Sequence, residues 1–515
     1  MGLSIFSETA TVFFFLLISF PFLIMELSSI VESLEQKTIL VTGSTGFLAK
    51  LFVEKVLRVQ PNIKRLFILL RAADTKSAVQ RLHHEVIGKE VFRVLWDTYG
   101  AGLDSYISEK LIPVAGDIGW ENLGVTDCSL REEMWREIDI VLNSAATTAF
   151  DERYDHAFST NTFGAKHVLD FAKQCVKLKM LLHVSTAYVA GEKEGLILEK
   201  PFRMGETLNG TTGLDIEQEM KVIQEKLKQL EDEEVTQKAQ TLAMKDLGLE
   251  RARKYGWPNT YVFTKAMGEM ILGNLRENLP LVIIRPTIIT STYKEPIPGW
   301  TEGLRTIDSL GVAYAKGKLP CFLGDPASIV DLIPGDMVVN SIIVAMAAHM
   351  NESGEFIYQV GSSIRNPTDF NKFQEYAYHY FTKDPFMDKH GRPIKVRKIA
   401  VFTSMDGFYK YIAIRYLLPL KVFQLINIAF CKYFQSKYDD QNRKIGFVMR
   451  LVDLYRPYLF FKGIFDDINM EKLRMALKEN HAEANIFYFD PRSIDWDEYF
   501  MKIHIPGVRN YVYKG

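Results

Sequence analysis

Two rhythms of hydrophobic positions alternate along the chain. Short unbroken apolar runs mark strands buried on both faces. They fall at KTILVT (37–42), RLFILL (65–70), LIPVAGD (111–117), DIVLNSAA (139–146), MLLHVSTAYVAG (180–191), LVIIRPT (281–287) and FIYQVG (356–361). Between them lie helical spacings, such as FLAKLFVEKVLRV, closed by Pro61, and NTFGAKHVLDFAK. Strands alternating with helices predict an α/β fold with a Rossmann-type doubly wound parallel sheet.

Two stretches break the rhythm. Between Gly191 and Tyr255 the chain turns charged, and Ile216, Met220, Ile223, Leu227 and Leu230 step by 4, 3, 4 and 3. That is one apolar stripe on a helix otherwise covered by Glu, Lys and Gln. It predicts a helical insertion over 192–255 that caps something and contributes no sheet element. After about residue 385 the alternation stops, and 408–434 becomes apolar and aromatic with interspersed Lys and Arg. Such a segment is either a buried core helix or one lying at a membrane interface. The resulting division is a hydrophobic N-terminal extension (1–35), an α/β domain (36–384) and a smaller, mainly helical C-terminal domain (385–515).

The extension contains an uncharged run of 17 residues, 9–25, near the lower limit for spanning a bilayer. It lacks the basic flank and small-residue cleavage site of a secretory signal. It reads as a membrane anchor or as a weakly ordered addition.

Composition narrows the classes. The 515 residues are 47% hydrophobic and 24% charged, ordinary for globular protein. A net charge of -1 removes the electrostatic footprint of a nucleic-acid binder. Cys128, Cys175, Cys321 and Cys431 are far apart, with no zinc or CxxC spacing, so no metal is expected. They read as buried thiols in a reducing compartment. The sequons at Asn209 and Asn351 would matter only in a secretory lumen.

The chemistry begins after the first strand. In TGSTGFLA (42–49), Gly43 permits a tight turn, Gly46 lets the backbone approach a pyrophosphate, and Ala49 allows close helix–strand packing. Thr42, Gly43, Ser44, Thr45, Gly46, Phe47 and Leu48 are the expected pyrophosphate-binding turn. Arg71 follows the second strand where an NAD site usually carries an acid. It can hold a 2′-phosphate bidentately, which favours NADPH. Asp117 and Ile118 end the third strand beside the adenine. Asn143, Ser144 and Ala145 end the fourth and suit a ribose–nicotinamide wall. Pro286 and Thr287 end the sixth.

Tyr261 and Lys265 sit four apart on one helical face. The ammonium is expected to lower the phenol pKa and bind the nicotinamide ribose, and the phenol to protonate a carbonyl oxygen. YxxxK by itself discriminates little. It also occurs at Tyr106/Lys110, Tyr314/Lys318, Tyr433/Lys437 and Tyr458/Lys462. Only Tyr261 opens a helix between the fifth and sixth strands. A hydroxyl at the end of the fifth strand completes the set, with Thr186 preferred and Ser185 the alternative.

Together these residues resemble the extended short-chain dehydrogenase/reductase superfamily. KTILVTGSTGFLAKLFVEKVLRVQP, HVSTAYVAGEKEG, NTYVFTKAMGE, IIRPTIITSTYKEPIPGWTEGLRTID and SIDWDEYFMKIHIPGVRNYV resemble, more narrowly, the plant alcohol-forming fatty acyl-CoA reductases, the male-sterility family. The resemblance runs from about Met25 to the C-terminus. It implies NADPH-dependent reduction of a long-chain acyl-CoA, through an aldehyde, to a primary alcohol for wax, cutin or suberin-type lipids. It also implies an NADPH-binding reductase domain followed by a fatty acyl-CoA reductase domain.

The roughly 130 residues after the α/β domain are too few for adenylation and carrier domains, so the acid must arrive activated. Membrane association through 9–25 or 408–434 is expected, on the cytosolic face of the endoplasmic reticulum, with cytosol or plastid as alternatives. The sequence carries no signature of oligomeric state. Another extended reductase, of hydroxysteroid or sugar-nucleotide type, would share the cofactor residues. An aldehyde-releasing acyl-CoA reductase would share the whole site, and a non-catalytic NADP-binding scaffold only the glycine turn.

Overall fold

The computed structural model describes residues 27–513 except Ser28, Arg305, Pro320 and His481. The apolar run 9–25 lies outside the described residues.

The seven apolar runs form one sheet. Its strands are β1 (Thr38–Thr42), β2 (Arg65–Leu70), β3 (Leu111–Ala115), β4 (Ile140–Asn143), β5 (Met180–Val184), β6 (Leu281–Pro286) and β7 (Glu355–Val360). They lie in the order β3-β2-β1-β4-β5-β6-β7, each pair parallel. Strand order runs outward in opposite directions from β1 and β4, so the crevice where α/β folds bind ligands lies between them. Helix α1 (Phe47–Val59) starts at Gly46 and packs on one face, and helix α2 (Thr260–Leu275) on the other.

The insertion is helical, as its pattern predicts, over Ile216–Asp232 and Gln237–Lys254. Ile216, Ile223 and Leu230 are buried against Tyr154, Trp257 and Phe263. One feature is absent from the apolar stripe. Glu219 is fully buried, accepting hydrogen bonds from the Tyr154 hydroxyl at 2.8 Å and Arg251 Nε at 2.9 Å. The expectation of no sheet element is corrected, because Gly195–Ile197 pairs in parallel with Gly463–Phe465. A second short pair joins Cys321–Leu323 to Ala400–Phe402. Both pairs stitch the C-terminal part to the α/β domain.

Helices Met405–Ile412 and Leu418–Ala429, with the turn between them, correct the core-helix alternative for 408–434. Only 17% of this apolar stretch is buried. Ile414, Leu418, Val422, Leu425, Ile428 and Phe430 are exposed. Helix α3 (Gln435–Leu459) follows and returns the chain to the sheet's reactive end. All four cysteines are free thiols. Cys175 and Cys321 are buried, but Cys128 and Cys431 are exposed, against the expectation of burial.

Candidate active site

The glycine turn lies at the crevice. Gly43 has φ +68°, and a Cβ there would come within 2.7 Å of the Ala145 and Ser144 backbone, so only glycine fits. It opens a cleft of about 730 Å³ lined by Gly43–Gly46, Arg71, Arg81, Asp117, Ile118 and Ser144–Thr148. Arg71 is exposed at the rim and forms no ion pair among the described residues. The Asp117 carboxylate accepts from Gly119 N at 2.9 Å.

Several expected cofactor residues are spent elsewhere. Phe47 stacks on Trp300 at 5.1 Å and Leu48 is buried, so these two side chains leave the cleft and only their backbone borders the turn. Ser44 Oγ donates to the Val41 carbonyl. Thr287 Oγ1 donates to Asp331 at 2.9 Å, and Pro286 presents its carbonyl to Thr186. Thr42 and Asn143 bond each other behind the cleft at 2.7 Å.

The catalytic candidates meet where β5 ends. Asn259 caps α2, accepting from Val262 N, and thereby fixes the first turn that carries Tyr261. Thr186 lies near enough to the Tyr261 phenol to lower its pKa, while its Oγ1 donates to the Pro286 carbonyl at 3.5 Å and accepts from Tyr188 N at 3.3 Å. Ser185 Oγ, the alternative hydroxyl, is buried with no hydrogen-bond partner among the described residues. Burial pushes the phenol up to about 12, with Thr186 opposing. The expected lowering by Lys265 is therefore corrected. The Lys265 amine points to His183 Nε2 at 3.0 Å and to the Val184 carbonyl at 2.7 Å. Desolvation lowers Lys265 to about 8, with Glu269 opposing.

Three kinds of site residue escape sequence reasoning. His183 on β5 is one, although a histidine within an apolar buried strand signals an obligatory partner. The second is Phe150, stacked 6.3 Å from Tyr261. The third is an aromatic wall from the C-terminal part. Tyr455 and Tyr458 of α3 pack on Phe150 at 5.2 and 4.9 Å, and Tyr188 meets Tyr458 edge-on. Asn259 Nδ2 donates to the Tyr458 hydroxyl at 2.7 Å, tying the wall to the catalytic helix. No group of His, Cys, Asp and Glu that could hold a metal occurs among the described residues.

Two family models match the chain, over 41–342 and 415–515, both described as male sterility protein, the first modelling an NAD-binding domain. The chain is 56% identical over 489 residues to an alcohol-forming fatty acyl-CoA reductase of Simmondsia chinensis, covering 95% of this chain and 99% of that protein. It is 54% identical over 493 residues to fatty acyl-CoA reductase 1 of Arabidopsis thaliana, with 95% and 99% covered. Among solved structures it resembles the terminal R domain of the myxalamid PKS-NRPS pathway. The TM-score is 0.55 at 15% identity, over 93% of this chain and 92% of that one. It also resembles a reductase domain of a nonribosomal peptide synthetase from Mycobacterium tuberculosis. There the TM-score is 0.52 at 16% identity, over 93% and 95%. These two likenesses concern the fold. The matched family model thus makes 41–342 a nicotinamide-dinucleotide-binding domain, on a fold shared with those reductase domains.

Proposed function

Because the chain belongs to the male sterility family, whose plant members matched here are fatty acyl-CoA reductases, it is an oxidoreductase, and we propose that it converts long-chain acyl-CoA to a primary alcohol with NADPH. One thioester, two NADPH and two protons give one alcohol, free CoA and two NADP⁺. The convergence of Tyr261 and Thr186 at the end of β5, beside an aromatic wall, is the observation that carries this reading.

The cradle fits a dinucleotide, since Gly43 tolerates no side chain and Arg71 and Arg81 border the cleft. When bound, the reduced nicotinamide supplies hydride to the acyl carbon. The Tyr261 and Thr186 hydroxyls then donate to the oxygen on which charge develops. Lys265 anchors the ribose side of the cleft. Phe150, Tyr188, Tyr455 and Tyr458 exclude water and retain the aldehyde for its second reduction. Residues 36–384 form the reductase domain, with its insertion at 192–255, and 385–515 the domain that closes the acyl side.

Graded saturated acyl-CoAs with NADPH should yield alcohols and two NADP⁺ per alcohol. No NADPH oxidation at any chain length would sink the proposal. Aldehyde as the sole product would favour the aldehyde-releasing alternative.

NADPH rather than NADH is supported by Arg71 at the strand end. Arg71→Gln should weaken NADPH about 10–100-fold, the worth of a charge-assisted phosphate contact, while changing NADH binding far less. Titration of cofactor fluorescence measures both.

Association with a membrane surface is supported by the exposed apolar side chains of 414–430, and the cytosolic face of the endoplasmic reticulum is the surface proposed. Liposomes of anionic phospholipid should sediment with the protein, and Leu418→Glu with Leu425→Glu should release it by roughly tenfold or more.

A further inference from the structure

Behind the cleft, one row of polar side chains crosses three strands that are otherwise apolar. Thr42, Asn143 and His183 are register partners on β1, β4 and β5, and each is 1% exposed or less. Thr42 Oγ1 lies 2.7 Å from Asn143 Oδ1, Asn143 Nδ2 3.0 Å from His183 Nδ1, and His183 Nε2 3.0 Å from Lys265 Nζ. The Ala145 amide, in the cleft wall, donates to Thr42 Oγ1 at 3.2 Å. We propose that His183 is a positioning residue for the Lys265 amine, holding it at the end of β5 in either of its charge states. This rests on the reading of Tyr261 and Lys265 as the reacting pair.

The hydrogen-bond chemistry allows two arrangements. An ammonium at Lys265 needs His183 Nε2 as acceptor. The imidazole then carries its proton on Nδ1 and needs the Asn143 carbonyl opposite. A neutral amine accepts from Nε2–H, and Nδ1 then accepts from the Asn143 amide nitrogen. The row satisfies each state through a different imidazole tautomer and amide orientation. Burial and the adjacent Lys265 hold His183 itself well below the ordinary histidine range, so it stays neutral throughout. The other titratable groups around the amine are Tyr261 and Glu269 on its own helix, and Arg285 of β6, which is paired with Glu269.

Two substitutions divide the contacts of His183. His183→Gln places an amide where Nε2 stands and keeps the Lys265 contact. His183→Asn places one where Nδ1 stands and keeps only the Asn143 contact. In the full chain, His183→Asn should lower kcat on the order of 10–100-fold. It should also move the alkaline limb of the pH profile down by about one unit, because the ammonium loses an acceptor. His183→Gln should restore most of both, with acyl-CoA KM near the parent value in each variant. Retained NADPH fluorescence titration certifies folding. Equal activity of the two variants, or an unmoved limb in His183→Asn, would overturn the proposal.

A second measurement needs no change at 183. In the ¹⁵N-histidine-labelled parent chain, the imidazole signals perturbed by Lys265→Met should belong to a neutral ring. Its tautomer should switch as Lys265 titrates. An imidazolium with an ordinary midpoint would overturn the proposal. Full activity of Tyr261→Phe would instead remove the reading beneath it, whatever His183 does.

Discussion

Replacing Tyr261 with Phe is expected to lower kcat on the order of 10³-fold, the range for loss of a positioned general acid, while NADPH binding persists. The substitution removes only the hydroxyl. The ring remains stacked near Phe150, and the glycine turn and Arg71 are untouched. Burial that pushes the phenol up to about 12 keeps it protonated at neutral pH, the form that can donate. Lys265, lowered to about 8, stays mostly charged at pH 7 and loses its proton as pH rises through 8. The parent rate should therefore decline above about pH 8. Stopped-flow NADPH oxidation with a saturated acyl-CoA measures both effects. A Tyr261→Phe enzyme within threefold of the parent would remove Tyr261 from the reaction.

The second large effect concerns stability. Arg285 of β6 and Glu269 of α2 form an ion pair at 2.5 Å, with side chains 5% and 1% exposed. Arg285 also donates to the Lys200 carbonyl and lies over the Phe202 ring. Arg285→Met leaves a buried carboxylate without its partner and should cost about 3–5 kcal/mol. Arg285→Met with Glu269→Leu should recover much of that loss, because desolvation of both charges is then avoided. Denaturant titration of the three variants measures the difference. The single change also unbalances Lys265, whose proton affinity Glu269 raises, so its alkaline limb should move as well.

The parts of the molecule that were readable in the sequence are those with local causes. Seven apolar runs become seven parallel strands because burial on both faces leaves no other pattern. The glycine turn is readable because Gly43 must adopt a positive φ against the Ala145 backbone. Tyr261 is separable from four other YxxxK pairs only through its place between β5 and β6. One of those rejected pairs contributes to the site for an unrelated reason. Tyr458 arrives there as an aromatic wall, with no role for Lys462.

What escaped depends on contacts far apart in sequence. His183 to Lys265, Phe150 to Tyr455 and Glu219 to Tyr154 are decided by packing, and no spacing rule connects them. The stitching strands are three residues each, too short to carry a period. Cys128 opens a helix at its exposed first turn and Cys431 lies in the turn after Ala429, so both face solvent, which composition does not encode.

The aromatic wall bears on how the protein comes into being. Phe150 and Tyr261 are made early, yet their partners Tyr455 and Tyr458 follow nearly two hundred residues after Tyr261. The strand Gly195–Ile197 likewise waits for Gly463–Phe465. The residues of the glycine turn, Phe150 and Tyr261 are thus synthesised well before the aromatic side chains that cover them, and the core beneath the turn also waits for Leu473, Phe487 and Tyr499 before it is complete.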